Sequence, residues 1–497
     1  MLRPRLADLI VESSVRYGDR PALRDADLVV SHAGLASAVD GAAHSLAALG
    51  LGPRDRALVV GENAIETLVL TLAIGRLGAW PVLATARLAD GEIDAIAAHC
   101  DPRLALYVPR NSATAADHAA RRLARMTDLA PLGAIGIERF AGERAPDPSP
   151  VDVAVMLYTS GTTGAPKAAM LTHENVLFLA RAQAVARRYR SDDRVYLALP
   201  LAFAGALASI TMTTLSAGGC LYVYPRFEPA ALARALRDDG LTVLPGVPAL
   251  YVKLADWARE HPGEFAAPHV RLATCASSPL APALKERVEA LLRLPLQNGY
   301  GLTETTAVVC QSAIDEPRGD TAAGRPLPGV RVRIVDDAAA DVACGEVGEI
   351  VVHGPNVFAG YFRNATATRE AFTSDGWFRT GDLGRLDEAG VLHLAGRIKD
   401  VIKHSGYTVH ASDVEAALHA HPAVALCAVV GRAHDADERI VAFVQLRERV
   451  DAGALASFLA ARLAAHKRPA IYRFVDALPM TASGKVDRAL LRRLAQT

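Results

Sequence analysis

The sequence has no surplus of charge of either sign, since its 54 Lys and Arg balance its 54 Asp and Glu. A chain built to grip nucleic acid or an anionic lipid surface carries an excess of basic residues, so neither partner is expected and a small molecule is. Metal-ligand spacing is missing as well. Cys100, Cys220, Cys275, Cys310, Cys344 and Cys427 lie far apart, with no C-x-x-C pair and no histidine placed to complete a zinc pattern. That usage predicts buried, reduced thiols in a cytosolic setting. Asp8 and Glu12 in "MLRPRLADLIVESS" stand where a signal peptide needs an apolar stretch, so a cytoplasmic location is expected. Internal repeats and low-complexity tracts do not appear.

One long uncharged run stands against this polar background, from Val195 to Pro225 between Arg194 and Arg226. About 20 apolar residues suffice to span a bilayer as a helix, so length alone makes it a candidate. Pro200 and the adjacent Gly218 and Gly219 divide it. The pieces read as a strand end, a helix of about 15 residues and a second strand, each too short to cross a membrane. A buried helix is predicted instead.

The 497 residues correspond to roughly three compact units of about 150 residues. "RALVVGENAIETLVLTLAIGRLGAWPVL" reads as strand, turn, amphipathic helix and strand, a βαβ unit that predicts a mainly parallel sheet under helices. From about Gly324 to Leu394 short strands alternate with Gly-containing turns, which predicts a small β subdomain. After Gly396 the texture changes. Ser412 and Glu415 stand at capping-box spacing and predict a helix start; strands at "LCAVVG", "RIVAFVQL" and "IYRFV" and a helix at "AGALASFLAARLAA" complete a separate α+β unit.

The strongest chemical feature is "YTSGTTGAPKAAMLTHENV", Tyr158 to Val176. It reads as a strand, a loop of hydroxyls and glycines, Lys167 and then a helix. Glycines let backbone approach an anion closely, and Thr159, Ser160, Thr162 and Thr163 offer donors to phosphate oxygens. It is not a G-x-x-x-x-G-K-[ST] loop, since Lys167 follows Pro166 and no hydroxyl follows the lysine.

This loop resembles the signature of the acyl-adenylate-forming superfamily, which includes acyl-CoA and aryl-CoA synthetases, adenylation domains and luciferase. Three more segments match in the same order: "NGYGLTET" (Asn298 to Thr305), "RTGDLGRLDEAGVLHLAGRIKDVIKHSGYTVHASDVE" (Arg379 to Glu415) and "MTASGKVDR" (Met480 to Arg488). The resemblance covers essentially the whole chain. It implies an α/β fold: a large N-terminal domain of βα-layered subdomains with the small β subdomain (1–396), a hinge (397–400), and a smaller mobile α+β C-terminal domain (401–497).

It also implies roles residue by residue. Lys485 would bridge the substrate carboxylate and the α-phosphate, and Glu304 would hold Mg²⁺ on the triphosphate. Thr159, Ser160, Gly161, Thr162, Thr163, Gly164 and Lys167 would line the phosphates. Asn298, Gly299, Tyr300, Gly301 and Thr303 would form the adenine motif, with Asp382 and Arg397 at the ribose. Lys399 is the implied hinge residue, and Ser405 and Gly406 would border the CoA channel. The implied reaction joins a carboxylic acid to CoA through an acyl-AMP, consuming ATP. A carrier-protein thiol or an amine as acceptor, and more remotely a non-catalytic or luciferase-like role, are the alternatives. A monomer or a homodimer is equally compatible.

The uncharged run bears on the acid. Adenylation domains for amino acids place an Asp after the aromatic residue here, whereas this chain has Ala204 after Phe203, which disfavours an α-amino acid. Many CoA ligases read "PLFH" where this sequence reads "PLAF", so Phe203 stands in place of their His. The other implied pocket residues, Ala276, Ser277, Gly299, Gly301 and Thr305, are small and uncharged. They favour an apolar or aromatic acid over a dicarboxylate, which would need a buried cation.

Overall fold

A computed structural model of the chain describes residues 4–140, 151–159, 167–404, 407–434, 437–481 and 485–496. Among these, two large sheets dominate. The first has seven strands, in the order Arg125–Asp128, Ala134–Arg139, Leu104–Val108, Arg56–Gly61, Trp80–Thr85, Val153–Thr159, Lys167–Thr172. Its four adjacent strands from Leu104–Val108 to Val153–Thr159 run parallel and its edges antiparallel, as the βαβ pattern predicts. The second has nine strands, with Leu296–Tyr300, Leu272–Cys275, Val243–Gly246, Arg194–Leu197, Cys220–Val223 and Pro21–Arg24 adjacent and parallel. One apolar core joins them, holding Val59, Leu83 and Leu106 from the first sheet with Leu23, Val195 and Leu221 from the second.

The helix Ile65–Arg76 lies within that core and buries every residue except Arg76. It is therefore not the amphipathic helix predicted. Helices Leu6–Tyr17 and His32–Ala48 pack over the side that would otherwise meet water, so no polar stripe is required.

The uncharged run follows the strand, helix, strand division. Strand Arg194–Leu197 leads to a π-helical segment, Gly205–Met212, that continues as the α-helix Thr213–Ala217, and Gly218 ends it at φ +81° before strand Cys220–Val223. Most of the helix is buried. Among the described residues no helix is long and apolar enough to cross a membrane. Eight residues of π-helix are unusual, and such widened turns collect at functional sites.

Three local expectations fail, the first at Cys344, which is exposed while the other five cysteines are buried. After Lys167 comes not a helix but the strand Lys167–Thr172, held antiparallel to Val153–Thr159 with Thr159 opposite Lys167. The helix starts only at His173, where the Thr172 hydroxyl accepts the Asn175 amide at 3.1 Å. Ser412 and Glu415 form no capping box. The helix there is Ala411–His419 with His410 at its N-cap, Ser412 donates to the Ala395 carbonyl at 2.7 Å, and Glu415 is drawn into the core by Arg488.

The small β subdomain is present as a four-stranded antiparallel sheet, Arg331–Val335, Gly348–His353, Phe378–Leu386 and Leu392–Arg397. Beyond it the strands Val424–His434, Asp437–Leu446 and Ile471–Phe474 form a sheet with its own apolar cluster, which includes Val414, Leu418, Val429, Val444 and Leu455.

Candidate active site

Parallel strands present ligands beyond their C-terminal ends, and the site is assembled there. Strand Leu296–Tyr300 ends at the adenine motif, Leu272–Cys275 delivers Ala276 and Ser277, and Arg194–Leu197 leads to Phe203. The turn after Tyr300 is tight enough to dictate its residue. A Cβ on Gly301 would collide with the Ala307 carbonyl and lie 2.8 Å from the Val308 Cα. Backbone cannot yield as a flexible side chain does, so Gly301→Ala should cost at least ~1–3 kcal/mol. The expected readout is a lower thermal midpoint together with weaker ATP binding, because Tyr300 and Glu304 flank the turn.

In the antiparallel pair formed by Phe378–Leu386 and Leu392–Arg397, Asp382 sits directly opposite Arg397. Their side chains meet with Arg397 Nε 2.8 Å from Asp382 Oδ1, while the hydroxyl of Tyr300 donates to Oδ2 at 2.8 Å. Asp382 is only 5% exposed. Burial pushes the Tyr300 phenol well above its ordinary value, and the Asp382 carboxylate adds to that, so it remains a donor. Asn298 is pinned beside them, its side-chain amide donating to the Thr321 carbonyl at 2.7 Å and its oxygen accepting the Gly299 amide at 2.9 Å.

Glu304 stands in the short 3₁₀ turn Thr303–Thr305. Its Oε1 accepts the Tyr361 hydroxyl at 2.8 Å, and the Lys167 ammonium lies 5.2 Å from the centre of the Tyr361 ring. Tyr361 thus links the signature segment to the acidic residue, a role no sequence motif pointed to. Thr305 is fully buried, its hydroxyl accepting the Leu302 amide at 2.9 Å. Thr159, the last described residue before the glycine-rich loop, donates to the Lys167 carbonyl at 3.4 Å. Ser160, Gly161, Thr162, Thr163 and Gly164 lie outside the described residues, as do Ser405 and Gly406.

Lys485, at the far end of the chain, lies near enough to Arg397, Asp382 and Glu304 for their charges to act on it. Lys485 is exposed, yet the protein around it lowers its ammonium pKa, and Arg397 and Lys399 act in the same direction against Asp382 and Glu304. Its segment is tied down by the Thr481 amide donating to the Lys485 carbonyl at 2.7 Å and by Arg488. That guanidinium donates to both Glu415 oxygens, at 2.6 and 2.8 Å, and to the Val429 carbonyl at 2.9 Å. Arg492 donates to the Lys399 carbonyl at 3.1 Å and pairs with Asp400, so the turn Ile398–Asp400 is braced by the same helix, Arg488–Gln496. Loss of hydration, reinforced by Arg397, also lowers the Lys399 ammonium.

Of the residues expected to line the acyl pocket, Ala204 is buried, Phe203 and Ala276 are half-buried, and Ser277 is exposed. Gly299 faces Ala276, since a Cβ there would stand 3.9 Å from the Ala276 Cβ. Among the described residues no group of three or more His, Cys, Asp or Glu could hold a metal ion by itself.

Two parallel-sheet layers, a small β unit, a cationic and acidic cluster at the strand ends and a separate C-terminal unit bearing Lys485 define a nucleotide-dependent enzyme. The chain belongs to the AMP-binding enzyme family, whose model matches residues 10–362, with the AMP-binding enzyme C-terminal domain matching residues 413–485. It is 34% identical to a feruloyl-CoA synthase from Amycolatopsis over 95% of each chain. To an indoleacetate–CoA ligase from Aromatoleum aromaticum it is 34% identical, over 96% of this chain and 95% of the other. Its structure is similar to that of ATP-bound MatB from Rhodopseudomonas palustris, with a TM-score of 0.87 and 30% identity over 99% of both chains.

Proposed function

We propose that this chain is an AMP-forming acid–CoA ligase that activates an apolar or aromatic carboxylic acid. The acid's carboxylate oxygen attacks the α-phosphorus of ATP, and the bond to pyrophosphate breaks. The CoA thiolate then attacks the acyl carbon, and AMP leaves with the attacking carboxylate oxygen. The observation that carries this reading is the buried Asp382 held by Arg397 and Tyr300, with Lys485 near enough for the charges of Arg397, Asp382 and Glu304 to act on it. Two anions must meet there, and an array of charges fixed in advance stabilises the charge that develops as they do.

In this reading Asp382 accepts the ribose hydroxyls while Arg397 and the Tyr300 hydroxyl hold its carboxylate in place. Lys485 bridges the carboxylate and the α-phosphate. Glu304 suits Mg²⁺, because among the described residues only one of its oxygens is taken, by Tyr361, and Mg²⁺ is commonly held by one or two carboxylates plus substrate phosphates. That ion would neutralise charge on the triphosphate. The small residues Ala204, Ala276 and Gly299 support an apolar or aromatic acyl group. Units 1–396 and 401–497 act as two bodies about the hinge 397–400, turning at Lys399 to withdraw Lys485 and bring Ser405 and Gly406 to the acyl-AMP. The CoA ligases among the relatives support CoA over a carrier thiol as acceptor.

Incubation with ATP, CoA and a panel of carboxylic acids, read by mass spectrometry, should yield an acyl-CoA, AMP and pyrophosphate. ADP in place of AMP overturns the reading.

A further inference from the structure

Behind the acyl wall lies a charged group that activation does not use. Arg187 follows the helix His173–Ala186 as its C-cap residue and is 3% exposed. Its Nε donates to Gln311 Oε1 at 2.9 Å, Nη1 to the Ser312 carbonyl at 3.3 Å and Nη2 to the Asn298 carbonyl at 3.4 Å. All three acceptors are neutral, and among the described residues no carboxylate pairs with it. Other buried or half-buried guanidinium groups do have partners: Arg271 meets Asp193 and Arg56 reaches Asp101. Burial pushes Arg187 down to about 10, so it stays charged at neutral pH. A desolvated cation without a counter-charge costs stability, and its retention asks for a reason.

Its position supplies one. A Cβ on Gly299 would stand 3.9 Å from Arg187 Nη2 and the same distance from the Ala276 Cβ. Gly299 therefore lies between the apolar wall and the guanidinium, at ordinary contact distance from both, with the Cys310 carbonyl oxygen 3.5 Å from the same point. Gln311 Oε1 also accepts Gln183 Nε2 at 3.3 Å, and Gln183 Oε1 accepts the Ser209 hydroxyl at 2.7 Å. Ser209 belongs to the π-helical segment that begins next to Phe203 and Ala204. A buried polar chain thus runs from the pocket helix to Arg187 and on to strand Leu296–Tyr300. A guanidinium has five N–H donors, and the three long or neutral bonds leave capacity for a ligand.

We propose that Arg187 is a specificity-determining residue that reads the end of the acid remote from its reacting carboxylate, favouring acids that carry a hydrogen-bond acceptor or a negative charge there. A ring hydroxyl, a carbonyl or a second acid group has the required chemistry. This rests on the ligase reading above, and it replaces a uniformly apolar pocket with one that is apolar along its walls and cationic at its end. Arg187 takes no part in bond making. A clasp between helix and strand would need no charge, since glutamine could serve the same neutral acceptors.

The test compares pyrophosphate release from benzoate, phenylacetate and phenylpropenoate, each bare, 4-hydroxylated and 4-carboxylated, for the native protein, Arg187→Lys and Arg187→Met. In the native protein the better acceptor-bearing acid should exceed its bare parent in kcat/KM by at least about tenfold, because a site built to bond a polar group discriminates against the analogue lacking it. Arg187→Met should erase that preference, mainly through KM, while leaving the bare acid within about threefold; Arg187→Lys should keep part of it. Native preference for the bare acid, or equal loss on all members of a series, overturns the proposal. The native comparison decides even if Arg187→Met does not fold. Turnover of bare acids alone removes this inference and leaves the ligase reading intact, whereas ADP formation or no nucleotide turnover with any acid removes both.

Discussion

Lys485→Ala lowers acyl-AMP formation by about 10²–10³-fold, the loss associated with removing one preorganised donor to a developing charge. CoA-dependent thiolysis of pre-made acyl-AMP stays within a few-fold of the native rate. The split follows from the proposed bridging role of Lys485, which lies within range of the charges of Asp382, Arg397 and Glu304, an arrangement suited to the first half-reaction. In the second, the proposed rotation about the hinge withdraws the lysine. Single-turnover assays of each half-reaction check this, and equal loss in both would refute the two-arrangement mechanism. The pH dependence has a definite sign. Only the protonated ammonium can bridge two anions, and its surroundings lower its pKa, so its charge is lost as pH rises through that lowered value. Acyl-AMP formation should therefore show an alkaline limb below the ordinary lysine pKa of about 10.4. Thiolysis should lack that limb.

Asp382→Ala is the second large effect. The carboxylate accepts the Tyr300 hydroxyl and pairs with Arg397, and the ribose would add further bonds to it. Hydrogen bonds to a charged group contribute about 1.5–3 kcal/mol each, and a buried partner left unsatisfied adds its own cost. Since every 1.4 kcal/mol is tenfold in affinity, losing two such bonds should raise the KM for ATP by about 10²-fold or more. Asp382→Asn keeps the shape but not the charge and should fall between the two. Steady-state kinetics with ATP as the varied substrate resolve this series. A KM for ATP unchanged in Asp382→Ala would remove Asp382 from the nucleotide site.

Features contained in short contiguous segments were legible in the sequence. The parallel βαβ pattern, the small β subdomain and the division of the uncharged run by Pro200 and Gly218 are local and were read correctly. What escaped depends on pairing across distance. Whether the residues after Lys167 form strand or helix is decided by Val153–Thr159 beside them, not by their own periodicity. Ser412 and Glu415 have capping-box spacing, yet Glu415 finds Arg488 73 residues away and is withdrawn from the helix end. The link between Tyr361 and Glu304 spans 57 residues, and nothing near "FAGYF" announces it. In the sequence Arg187 is one of three arginines in "ARRYR". Only its contacts with Gln311, Ser312 and Asn298 distinguish it from its exposed neighbour Arg188, which pairs with Asp315.

The most direct test of the central claim follows an oxygen atom. An acid that the protein turns over is labelled with ¹⁸O in its carboxylate, and the products of a reaction with ATP and CoA are weighed. Passage through an acyl-AMP predicts that one labelled oxygen appears in the AMP phosphate and none in pyrophosphate. AMP free of label, or label in the other phosphate product, would contradict the account.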